Sequence, residues 1–596
     1  MSECSVPCGG AFLIEEATPE QVLIPEELSA ESRLMGKTME EFLRKEVQPR
    51  LDRLEAQEEG LMHGLLQQAG KLGLLATGVP ELYGGLDLPK SAIALLIEKL
   101  AINASFSVSV GVQTSLAVLP LLFFGTEEQK RKYIPRLVTG ELIGAFSLSE
   151  ANCGSDALSS QTRASLVPDG THYLLNGTKM WTTNAGFADL FTVFAKVDGE
   201  QFTAFLIERD TPGVSLGREE HKLGLKGSST RRVILDNAKV PVENVLGEIG
   251  KGYRVALYVL NIGRFQIGAG GLGGSKETLK IATQYARQRV QFGQPISDFG
   301  LIRHKLAEMA IRIFMLESMV YRTAGYWDTL FGQIDASAPD ANDKYRAAAE
   351  EYAVECAVLK FFGSEVLDYV VDEGLQIHGG FGYSEEFPMA RAYRDARINR
   401  IFEGTNEINR LTVPDQLMRR AQRGRLALPQ AVAKLKDIVL SPPAMADTLS
   451  DPLDEIGLWV RQMRHAILYT TGQAWEALGE QLAERQEIVG AIADMTAALY
   501  ALESAWLRIR KMKGSPVPLP PSSVSVALAA VQVYANDACA QVEQWGRYAL
   551  AAFSAGDTLR THVGTLRRLL KPPLLDTFSL RRRIAASVLE HDGYPW

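Results

Sequence analysis

The segment Ile401-Phe402-Glu403-Gly404-Thr405-Asn406-Glu407-Ile408 is the most informative part of this 596-residue chain. Threonine is a residue type that caps helices, because its hydroxyl accepts a hydrogen bond from a backbone N–H of the first turn. The segment therefore predicts a helix that begins after Thr405 and a carboxylate, Glu403, just before it. Taken alone, Glu403 is equally well explained as an ordinary residue at the start of a helix.

Two segments nearer the N-terminus offer groups that suit a flat ligand carrying phosphates. The loop Phe146-Ser-Leu-Ser149-Glu-Ala-Asn-Cys-Gly154-Ser155-Asp156 combines glycine with short hydroxyl side chains, which together with backbone N–H groups can hold a pyrophosphate or a polar heterocycle. Trp181-Thr182-Thr183 places an aromatic ring beside two hydroxyls, which can stack on and hydrogen-bond to a flat ring. A solvated turn and a sheet-packing tryptophan are the alternatives when each segment is considered alone.

A glycine-rich run satisfies the letter of the dinucleotide fingerprint at Gly268-Ala-Gly270-Gly271-Leu-Gly273. It follows a helical pattern instead of a strand, and no acidic residue closes a strand about 20 residues later. We therefore predict that these small residues let one helix pack closely against another, and that no nicotinamide cofactor binds here.

The composition excludes other classes of function. A formal net charge of -8 argues against a nucleic-acid partner held by phosphate contacts, and 46% hydrophobic with 22% charged residues is typical of a soluble protein. The chain has five cysteines, at Cys4, Cys8, Cys153, Cys356 and Cys539. They are too scattered along the sequence for a disulfide framework or a zinc site, so no metal is expected.

The N-terminus is rich in glutamate and lacks a secretory apolar stretch, so we expect a cytoplasmic protein without a signal or transit peptide. The run from Leu100 to Thr126 carries no charge and is long enough to cross a membrane. Its serine, asparagine and glutamine side chains and Pro120 would be poorly solvated by lipid. We predict buried helices there instead.

The spacing of apolar residues divides the chain into helical and strand-rich parts. Helical spacing ends near residue 140 and returns near residue 246, and a Pro-rich stretch at Ser441-Pro442-Pro443 precedes a further helical block. We predict an α+β fold with an N-terminal segment (1–28), an N-terminal helical domain (29–140), a middle β-domain (141–245), a helical bundle carrying Glu403 (246–420), a linker (421–455) and a C-terminal helical extension (456–596).

Two hairpins are predicted in the β-domain, because Asn-Gly and Asp-Gly tolerate the positive φ angles of a tight turn. Asn176-Gly177 would join the strands at Tyr173 and Lys179, and Asp198-Gly199 would join those at Phe191 and Phe202. Val233-Ile234-Leu235 adds a further strand.

Several segments, in order between about residues 30 and 420, together resemble the acyl-CoA dehydrogenase family. They are Ser149 to Asp156, Trp181-Thr182-Thr183, Leu260-Asn261-Ile-Gly263-Arg264, Arg289-Val-Gln-Phe292-Gly293, Gln376-Ile-His378-Gly379-Gly380-Phe-Gly382-Tyr383 with Arg394-Asp395-Ala-Arg397, and the segment around Glu403. The resemblance implies that family's fold and FAD-dependent dehydrogenation of a saturated acyl-CoA to the trans-2-enoyl-CoA. It also implies that electrons pass to an electron-transfer flavoprotein.

The resemblance implies a role for each matching residue. Glu403 would be the catalytic base, although some relatives carry the base on another helix. A thioester α-proton is weakly acidic, so such a base must be desolvated and within hydrogen-bond reach. The implied FAD contacts are Phe146, Leu148, Ser149, Gly154, Ser155, Trp181, Thr182, Thr183, Arg289, Phe292, Gln376, Gly379, Gly380, Thr405 and Glu407. The implied substrate contacts are Ser155, Asn261, Arg264 and Gly404.

Two further implications concern the thioester and the assembly. The thioester oxygen would accept hydrogen bonds from the backbone N–H of Glu403 and a ribityl hydroxyl of FAD. Arg289, Phe292, Gln376, Gly379 and Gly380 would hold the FAD of a neighbouring subunit, which implies a homo-oligomer, expected to be a dimer. Cys153 and Ser147 depart from the family pattern but leave the backbone donors of their loop intact.

The length and the C-terminal block resemble the very-long-chain branch, in which the extension helps to attach the dimer to a membrane. Peripheral contact with the inner membrane is compatible with basic residues interleaved with leucines, and a solvated charged face is the alternative. The residues are Arg567, Arg568, Lys571, Arg581, Arg582 and Arg583 with Leu569, Leu570, Leu574 and Leu575. Gly111 would leave room for a long acyl tail, or would serve close packing.

Two other functions are compatible with these residues. An acyl-CoA oxidase shares the early chemistry but lets oxygen reoxidise the flavin. A scaffold that retains the fold would bind a partner through the helical extension, although scaffolding makes no demand for the base Glu403.

Overall fold

The computed structural model describes residues 6–336, 338, 340–440, 451–514 and 520–596. Seven helices precede the sheet: α1 (Ala30–Phe42), α2 (Leu51–Glu55), α3 (Leu61–Lys71), α4 (Lys90–Leu100), α5 (Ala104–Gly111), α6 (Val118–Phe124) and α7 (Glu127–Val138). A π-helical turn over Val112–Ala117 joins α5 to α6. Capping side chains begin three of these helices, since Ser29 accepts a hydrogen bond from the Ser32 N–H, Asn103 from the Phe106 N–H and Thr126 from the Gln129 N–H.

The β-domain is an eight-stranded mixed sheet. Its strands are β1 (Gly144–Ser147), β2 (Arg163–Leu166), β3 (His172–Thr183), β4 (Leu190–Val197), β5 (Gln201–Glu208), β6 (Val214–Leu216), β7 (Thr230–Pro241) and β8 (Val245–Leu246). The order is β6-β7-β3-β2-β4-β5-β8, and β1 pairs in parallel with β4. The predicted strand at Val233 lies within β7, and the hairpin at Asp198-Gly199 is confirmed, because β4 and β5 pair across it.

The hairpin predicted at Asn176-Gly177 is wrong. β3 runs through this dipeptide as one strand, with a shift in its pairing to β7 between Leu175 and Gly177. A Cβ atom on Gly177 would come within 2.4 Å of the Thr162 Oγ1, so there is no room for a side chain at this bulge. The glycine therefore serves close packing and not a turn.

The helical bundle follows the sheet. It contains α8 (Gly252–Gln288), α9 (Gly300–Gly332), α10 (Ala341–Glu351), α11 (Ala353–His378), α12 (Gly380–Tyr383), α13 (Pro388–Ala396) and α14 (Asn406–Gln422), with a short hairpin of β9 (Val290–Gln291) and β10 (Gln294–Pro295) after α8. The predicted close packing of small residues is confirmed, because the backbone of Gly363 on α11 would lie 2.8 Å from a Cβ on Gly271.

The last helices are α15 (Leu428–Leu440), α16 (Pro452–Leu478), α17 (Gln486–Gly514), α18 (Pro521–Ala551), α19 (Gly556–Leu569) and α20 (Thr577–Glu590). Helix α15 lies inside the segment predicted to be a linker, which is a correction. It forms because Leu428 and Leu435 are buried on one face. The Pro-rich residues Ser441 to Pro443 lie outside the described part of the chain.

The C-terminal extension shares one hydrophobic core with the bundle. Phe314 of α9, Phe361 of α11 and Leu507 of α17 belong to the same buried cluster. The N-terminal segment closes this cluster, where the Phe12 ring lies 4.6 Å from the ring of Tyr500 and the Phe12 carbonyl accepts a hydrogen bond from Arg464.

In the part of the chain that the structure describes, two stretches are long and apolar enough to cross a membrane, Ala104–Phe124 and Gln486–Gly514. The first is 67% and the second 83% buried inside the protein. The prediction of buried helices between Leu100 and Thr126 is therefore confirmed.

Candidate active site

Glu403 lies in a tight turn immediately before α14. Glu403 and Gly404 both have left-handed backbone conformations, with φ of 55° and 80°. Glycine adopts this conformation freely, whereas at a glutamate it costs roughly 1–3 kcal/mol and is a feature found at functional sites. The predicted helix cap is confirmed, because the Thr405 hydroxyl accepts a hydrogen bond from the Ile408 N–H at 3.3 Å.

The carboxyl group of Glu403 is desolvated. Its Oε2 atom is buried and has no hydrogen-bond partner among the described residues. Burial raises the pKa of Glu403 to about 7, and the positive charges of Arg264 and Lys360 oppose this rise. A carboxyl group with a pKa near the working pH is poised to accept a proton and later to release it.

A cavity of about 330 Å³ opens from Glu403. Helix α8 lines it from Gly263 to Ile281, a distance of about 27 Å at the rise of an α-helix. Many of the other lining residues are apolar, among them Ile97, Leu100, Val108, Val112, Leu116, Leu367 and Val371, and polar side chains such as Asn103, Arg391 and Asp395 also line it. A Cβ built on Gly111 meets no atom within 4 Å, so the missing side chain leaves open space in the cavity wall.

The loop after β1 and the end of β3 lie side by side, as the binding of one ligand by both segments requires. Ser147 and Thr182 share a buried hydrogen bond of 3.0 Å between their hydroxyls, and the Met180 N–H donates to the Ser149 carbonyl at 2.8 Å. Ser147, atypical for the resemblance, thus links the two segments. Thr183 reaches the cavity wall.

An ion pair between Glu150 and Lys179 fixes this loop from beneath, at 2.6 Å. Glu150 also accepts hydrogen bonds from the side chains of Ser160 and Thr162 and from the Gln161 N–H. Although burial opposes ionisation, these donors hold the pKa of Glu150 at about 2. The carboxylate therefore remains charged at physiological pH and anchors the loop.

The residues of this group differ in how they can meet a ligand. Trp181 has a left-handed backbone, with φ of 62°, and its indole is 56% exposed. Gly154 and Ser155 are exposed, and Leu148 and Ser149 are half-buried. Phe146 is half-buried, and its ring packs edge-on against Phe194 at 5.2 Å in the core of the β-domain.

A second group of predicted FAD contacts lies on an exposed surface where α8 and α11 end. Arg289, Phe292, Gln376, Gly379 and Gly380 are all exposed, and Phe292 is 94% exposed. The Tyr285 ring stacks on the His378 ring at 4.1 Å and its hydroxyl donates to the His378 carbonyl at 3.2 Å, which holds the two helix ends together.

The predicted substrate contacts Asn261, Arg264 and Gly404 surround the base. The Arg264 guanidinium donates to the Asn261 Oδ1 at 3.2 Å, and a Cβ on Gly404 would lie 3.8 Å from the Arg264 Nη2. The Arg264 Nε is buried and has no partner among the described residues. Ser155 lies apart on its exposed loop, and Glu407 is exposed on the first turn of α14.

Sequence reasoning missed two residues of the site. Lys360 is buried on α11, and its ammonium group influences Glu403. Leu225 lines the cavity with φ of 50°, and its N–H donates to Asp395 at 2.6 Å. The signal for Lys360 was a charged residue inside an otherwise apolar helical run, whereas nothing in the sequence pattern marked Leu225.

Within the described residues no group of three or more histidine, cysteine, aspartate or glutamate side chains is placed to hold a metal ion. Cys153 is buried, its thiol lies 3.2 Å from the Asp156 carbonyl, and burial raises its pKa. Cys4 lies outside the described part of the chain.

Comparison with known proteins decides the family. Residues 29–141, 145–238 and 250–418 match the models of the N-terminal, middle and C-terminal domains of acyl-CoA dehydrogenases, and residues 462–568 match a second model of that C-terminal description. A probable acyl-CoA dehydrogenase of Bacillus subtilis is 42% identical over 98% of both chains. The chain belongs to the acyl-CoA dehydrogenase family.

Two further relatives are informative for this dehydrogenase. The crystal structure of an acyl-CoA dehydrogenase complexed with FAD from Bacillus anthracis is 44% identical, covers 99% of this chain and 100% of that one, and superposes with a TM-score of 0.96. The mitochondrial very long-chain specific acyl-CoA dehydrogenase of Macaca fascicularis is 40% identical over 61% of this chain and 53% of its own.

The family is FAD-dependent, and FAD is the cofactor of this dehydrogenase. The residues present fit it. The exposed Trp181 indole and Thr183 at the cavity wall suit a flat ring. The open surroundings of Gly154, where a Cβ would meet no atom within 4 Å, suit a phosphate near backbone donors.

Proposed function

We propose that the carboxylate of Glu403 removes the α-proton of a saturated acyl-CoA and that the product is the trans-2-enoyl-CoA. The observation that carries this proposal is the buried, unpaired Oε2 of Glu403 at the wall of a long apolar cavity. FAD, when bound, supplies the acceptor for the hydride that leaves the β-carbon. Burial of the carboxyl group favours proton uptake, because an apolar environment disfavours the charged carboxylate relative to the neutral acid.

The developing negative charge on the thioester oxygen needs a hydrogen-bond donor. The backbone N–H of Glu403 donates to no acceptor within the described residues, so it is free for this task. Glu403 precedes Asn406, the first residue of α14, so its N–H takes no part in the hydrogen bonding of that helix. Glu403 would then serve with both its side chain and its backbone.

The test is the variant Glu403→Gln, which keeps the size of the side chain and removes the base. We expect the FAD content to be unchanged and the rate of anaerobic flavin bleaching by acyl-CoA to fall by about a hundred- to ten-thousand-fold. Asp415→Asn, which changes an exposed carboxylate on α14, the helix that follows Glu403, is the matched control. Bleaching at the wild-type rate in Glu403→Gln would place the base elsewhere.

We further propose that the substrates have long acyl chains. The cavity runs about 27 Å along α8, and Gly111 and Gly270 add no side chains to its wall. The similarity to a very long-chain specific dehydrogenase supports the same view. Flavin bleaching measured over acyl-CoAs of increasing length tests it, and a maximum at four carbons would contradict it.

For the electrons we propose transfer to an electron-transfer flavoprotein. The relatives described above are named as dehydrogenases, and the alternative is an acyl-CoA oxidase that passes electrons to oxygen. Turnover in air distinguishes the two, because an oxidase forms one peroxide for each enoyl product. We expect little peroxide and fast turnover only with the flavoprotein acceptor.

We propose a homodimer in which each subunit helps to hold the FAD of the other. Support comes from the exposed surface formed by Arg289, Phe292, Gln376, Gly379 and Gly380. The large apolar side chain of Phe292 is open to solvent on this surface in a single chain, as is typical of a surface that binds a partner. Sedimentation of Phe292→Ser tests this, with FAD content measured in parallel. A dimer that keeps full FAD content would contradict the proposal.

We also propose a cytoplasmic protein that touches the inner membrane through the segment between α19 and α20. Leu574 is 99% exposed there, and Phe578, Lys571 and Arg582 are exposed beside it in the chain. Three residues of the predicted surface are buried instead: Leu569, Leu570 and Arg581, whose guanidinium pairs with Glu308 and Asp537.

Vesicles that contain anionic lipids test the membrane proposal. Because the extension shares its core with the bundle, point variants are preferable to truncation. We expect Leu574→Ser with Phe578→Ser to weaken binding to these vesicles. Leu440→Ser, an exposed leucine on α15, is the control. Equal binding by the wild type and the double variant would contradict the proposal.

A further inference from the structure

Lys360 is a buried cation beside the catalytic carboxyl group. It lies on α11 and is fully buried, and its ammonium group donates one hydrogen bond within the described chain, to the Asn406 Oδ1 at 2.8 Å. Asn406 is the first residue of α14 and the third after Glu403. A lysine is almost never fully buried unless it is paired, so its burial here needs an electrostatic partner.

Two cations, Arg410 and Lys360, lie among the acidic groups in this region. Glu365, on the next turn of α11, is held by both arms of the Arg410 guanidinium at 2.7 and 2.9 Å, and Arg410 also pairs with Asp494 of the C-terminal extension at 2.8 Å. Glu407 is exposed. Because Arg410 neutralises Glu365, the remaining buried carboxyl group near Lys360 is Glu403.

The charges that face Glu403 come from two helices. Arg264 approaches from α8 and Lys360 from α11, and both lower the pKa of Glu403 against the effect of burial. Cys356, one turn before Lys360, contributes no charge because burial raises its pKa well above its usual value. Burial lowers the pKa of Lys360 to about 8, and Glu403 opposes that shift most strongly among its neighbours.

We infer that Lys360 is a positioning residue for the reaction, which holds the Glu403 side chain in its ionised form through charge and holds the turn before α14 through Asn406. Lys360 acts through Glu403 and has no predicted contact with substrate or FAD. The inference rests on the proposed function, since it assumes that Glu403 is the base.

The test compares the pH dependence of flavin reduction in the wild type, Lys360→Gln and Lys360→Arg. An opposite charge at close range shifts a carboxyl pKa by about one to three units, and each unit is a tenfold change in the ionised fraction. In a plot of the rate of flavin reduction against pH, we expect the rising limb for Lys360→Gln to lie at least about one pH unit higher than that for the wild type. Its rate at pH 6 should be about tenfold lower and at pH 9 within about threefold of the wild type.

The two curves should converge above about pH 8, because the wild-type ammonium group itself loses its proton there. Lys360→Arg keeps the charge and should keep the limb near its wild-type position. Lys276→Met removes a half-buried lysine that pairs with Glu98 and Glu317 and does not line the cavity, and it should lower thermal stability without moving the limb. If Lys360→Gln does not fold, Lys360→Met takes its place.

A second measurement does not depend on turnover. Infrared titration of the FAD-bound protein without substrate, with the spectrum of Glu403→Gln subtracted, follows the protonated carboxyl group of Glu403 directly, and its midpoint should rise in Lys360→Gln. The inference would be overturned if, in Lys360→Gln, the infrared midpoint and the rising limb of the rate both stayed at their wild-type positions while the rate fell equally at every pH. Full activity in Glu403→Gln would instead overturn the proposed function.

Discussion

Gly263 lies directly against the carboxyl group of Glu403. A Cβ atom built on Gly263 would come within 2.8 Å of the Glu403 Oε2, which is shorter than real Cβ contacts, and within 3.1 Å of its Cδ, which is tighter than most of them. Position 263 on α8 therefore has to be glycine if the carboxyl group is to keep its place. The helix bears the usual cost of an interior glycine at this point, about 1 kcal/mol relative to alanine.

Gly263→Ala should therefore displace the base without disturbing the fold. A shift of about 1 Å in a reacting group can cost about a hundredfold, so we expect flavin reduction to slow by about ten- to a hundredfold at saturating acyl-CoA. FAD content should be unchanged. Gly270→Ala on the same helix is the control, because its Cβ would approach no atom more closely than the Ile97 Cγ2 at 4.0 Å. Wild-type reduction by Gly263→Ala would show that the carboxyl group tolerates the shift.

The pKa of Glu403 predicts the pH dependence of the reaction. Only the ionised carboxyl group can accept the α-proton, and burial raises its pKa to about 7. The rate of flavin reduction should therefore fall about tenfold for each unit below pH 7 and level off above pH 8. Stopped-flow reduction with a saturating substrate measures this, and a limb near pH 4.5 would show that the site is not desolvated.

The raised pKa of Glu403 also predicts how the stability of the folded protein depends on pH. The folded pKa of Glu403 is raised above its unfolded value, so ionisation favours unfolding, and this effect appears as pH rises through about 4.5 to 7. Glu403→Gln should therefore melt at a higher temperature than the wild type at pH 8. Little difference should remain below pH 4.5, where both states carry the neutral acid.

Local signals in the sequence were sufficient where one short segment determines the structure. The Thr405 cap, the turn at Asp198-Gly199 and the close packing of Gly271 follow from residue types and their spacing. Asn176-Gly177 carried the same signal as a turn, yet its glycine is required by the close approach of Thr162, the residue just before β2. A turn and a close contact place the same demand on a glycine, so the sequence alone could not separate them.

Contacts between distant segments were the part that sequence could not predict. Lys360 becomes relevant only because α11 packs beside the turn that carries Glu403. The Pro-rich stretch at Ser441-Pro442-Pro443 indicated where the C-terminal helical extension begins, but it did not indicate that the extension shares the core of α9 and α11. Proline marks where helices stop, and it carries no information about which surfaces the following helices cover.

Gly111 offers a test of the acyl cavity. No atom lies within 4 Å of its missing Cβ, and it lines the cavity next to Val112. Gly111→Leu should fill space that a long chain needs, and one lost methylene contact already changes discrimination by about tenfold or more. We expect kcat/KM for a sixteen-carbon acyl-CoA to fall at least about tenfold while that for a four-carbon substrate changes little. An equal loss for both lengths would place Gly111 outside the path of the tail.

Glu503 provides the test of how firmly the C-terminal extension is joined to the bundle. On α17 it is fully buried between two arginines, Arg322 of α9 at 2.8 Å and Arg464 of α16 at 2.5 Å. Glu503→Gln would leave the Arg322 guanidinium buried without an ion-pair partner among the described residues and Arg464 with only the partly exposed Glu16, at 3.5 Å. Breaking a buried pair in this way costs about 3–5 kcal/mol. We expect unfolding of the helices to have a clearly lower midpoint in urea than in the wild type. The midpoint of the signal from the β-domain should fall by less.

The control for this variant is Glu543→Gln, which removes the partner of the exposed Arg567 at the surface of the extension. A pair of that kind contributes about 0–1 kcal/mol, so its urea midpoint should stay close to that of the wild type. If Glu503→Gln unfolds at the wild-type midpoint, the buried arginines must be neutralised by other groups, and the extension would be joined by its apolar core alone.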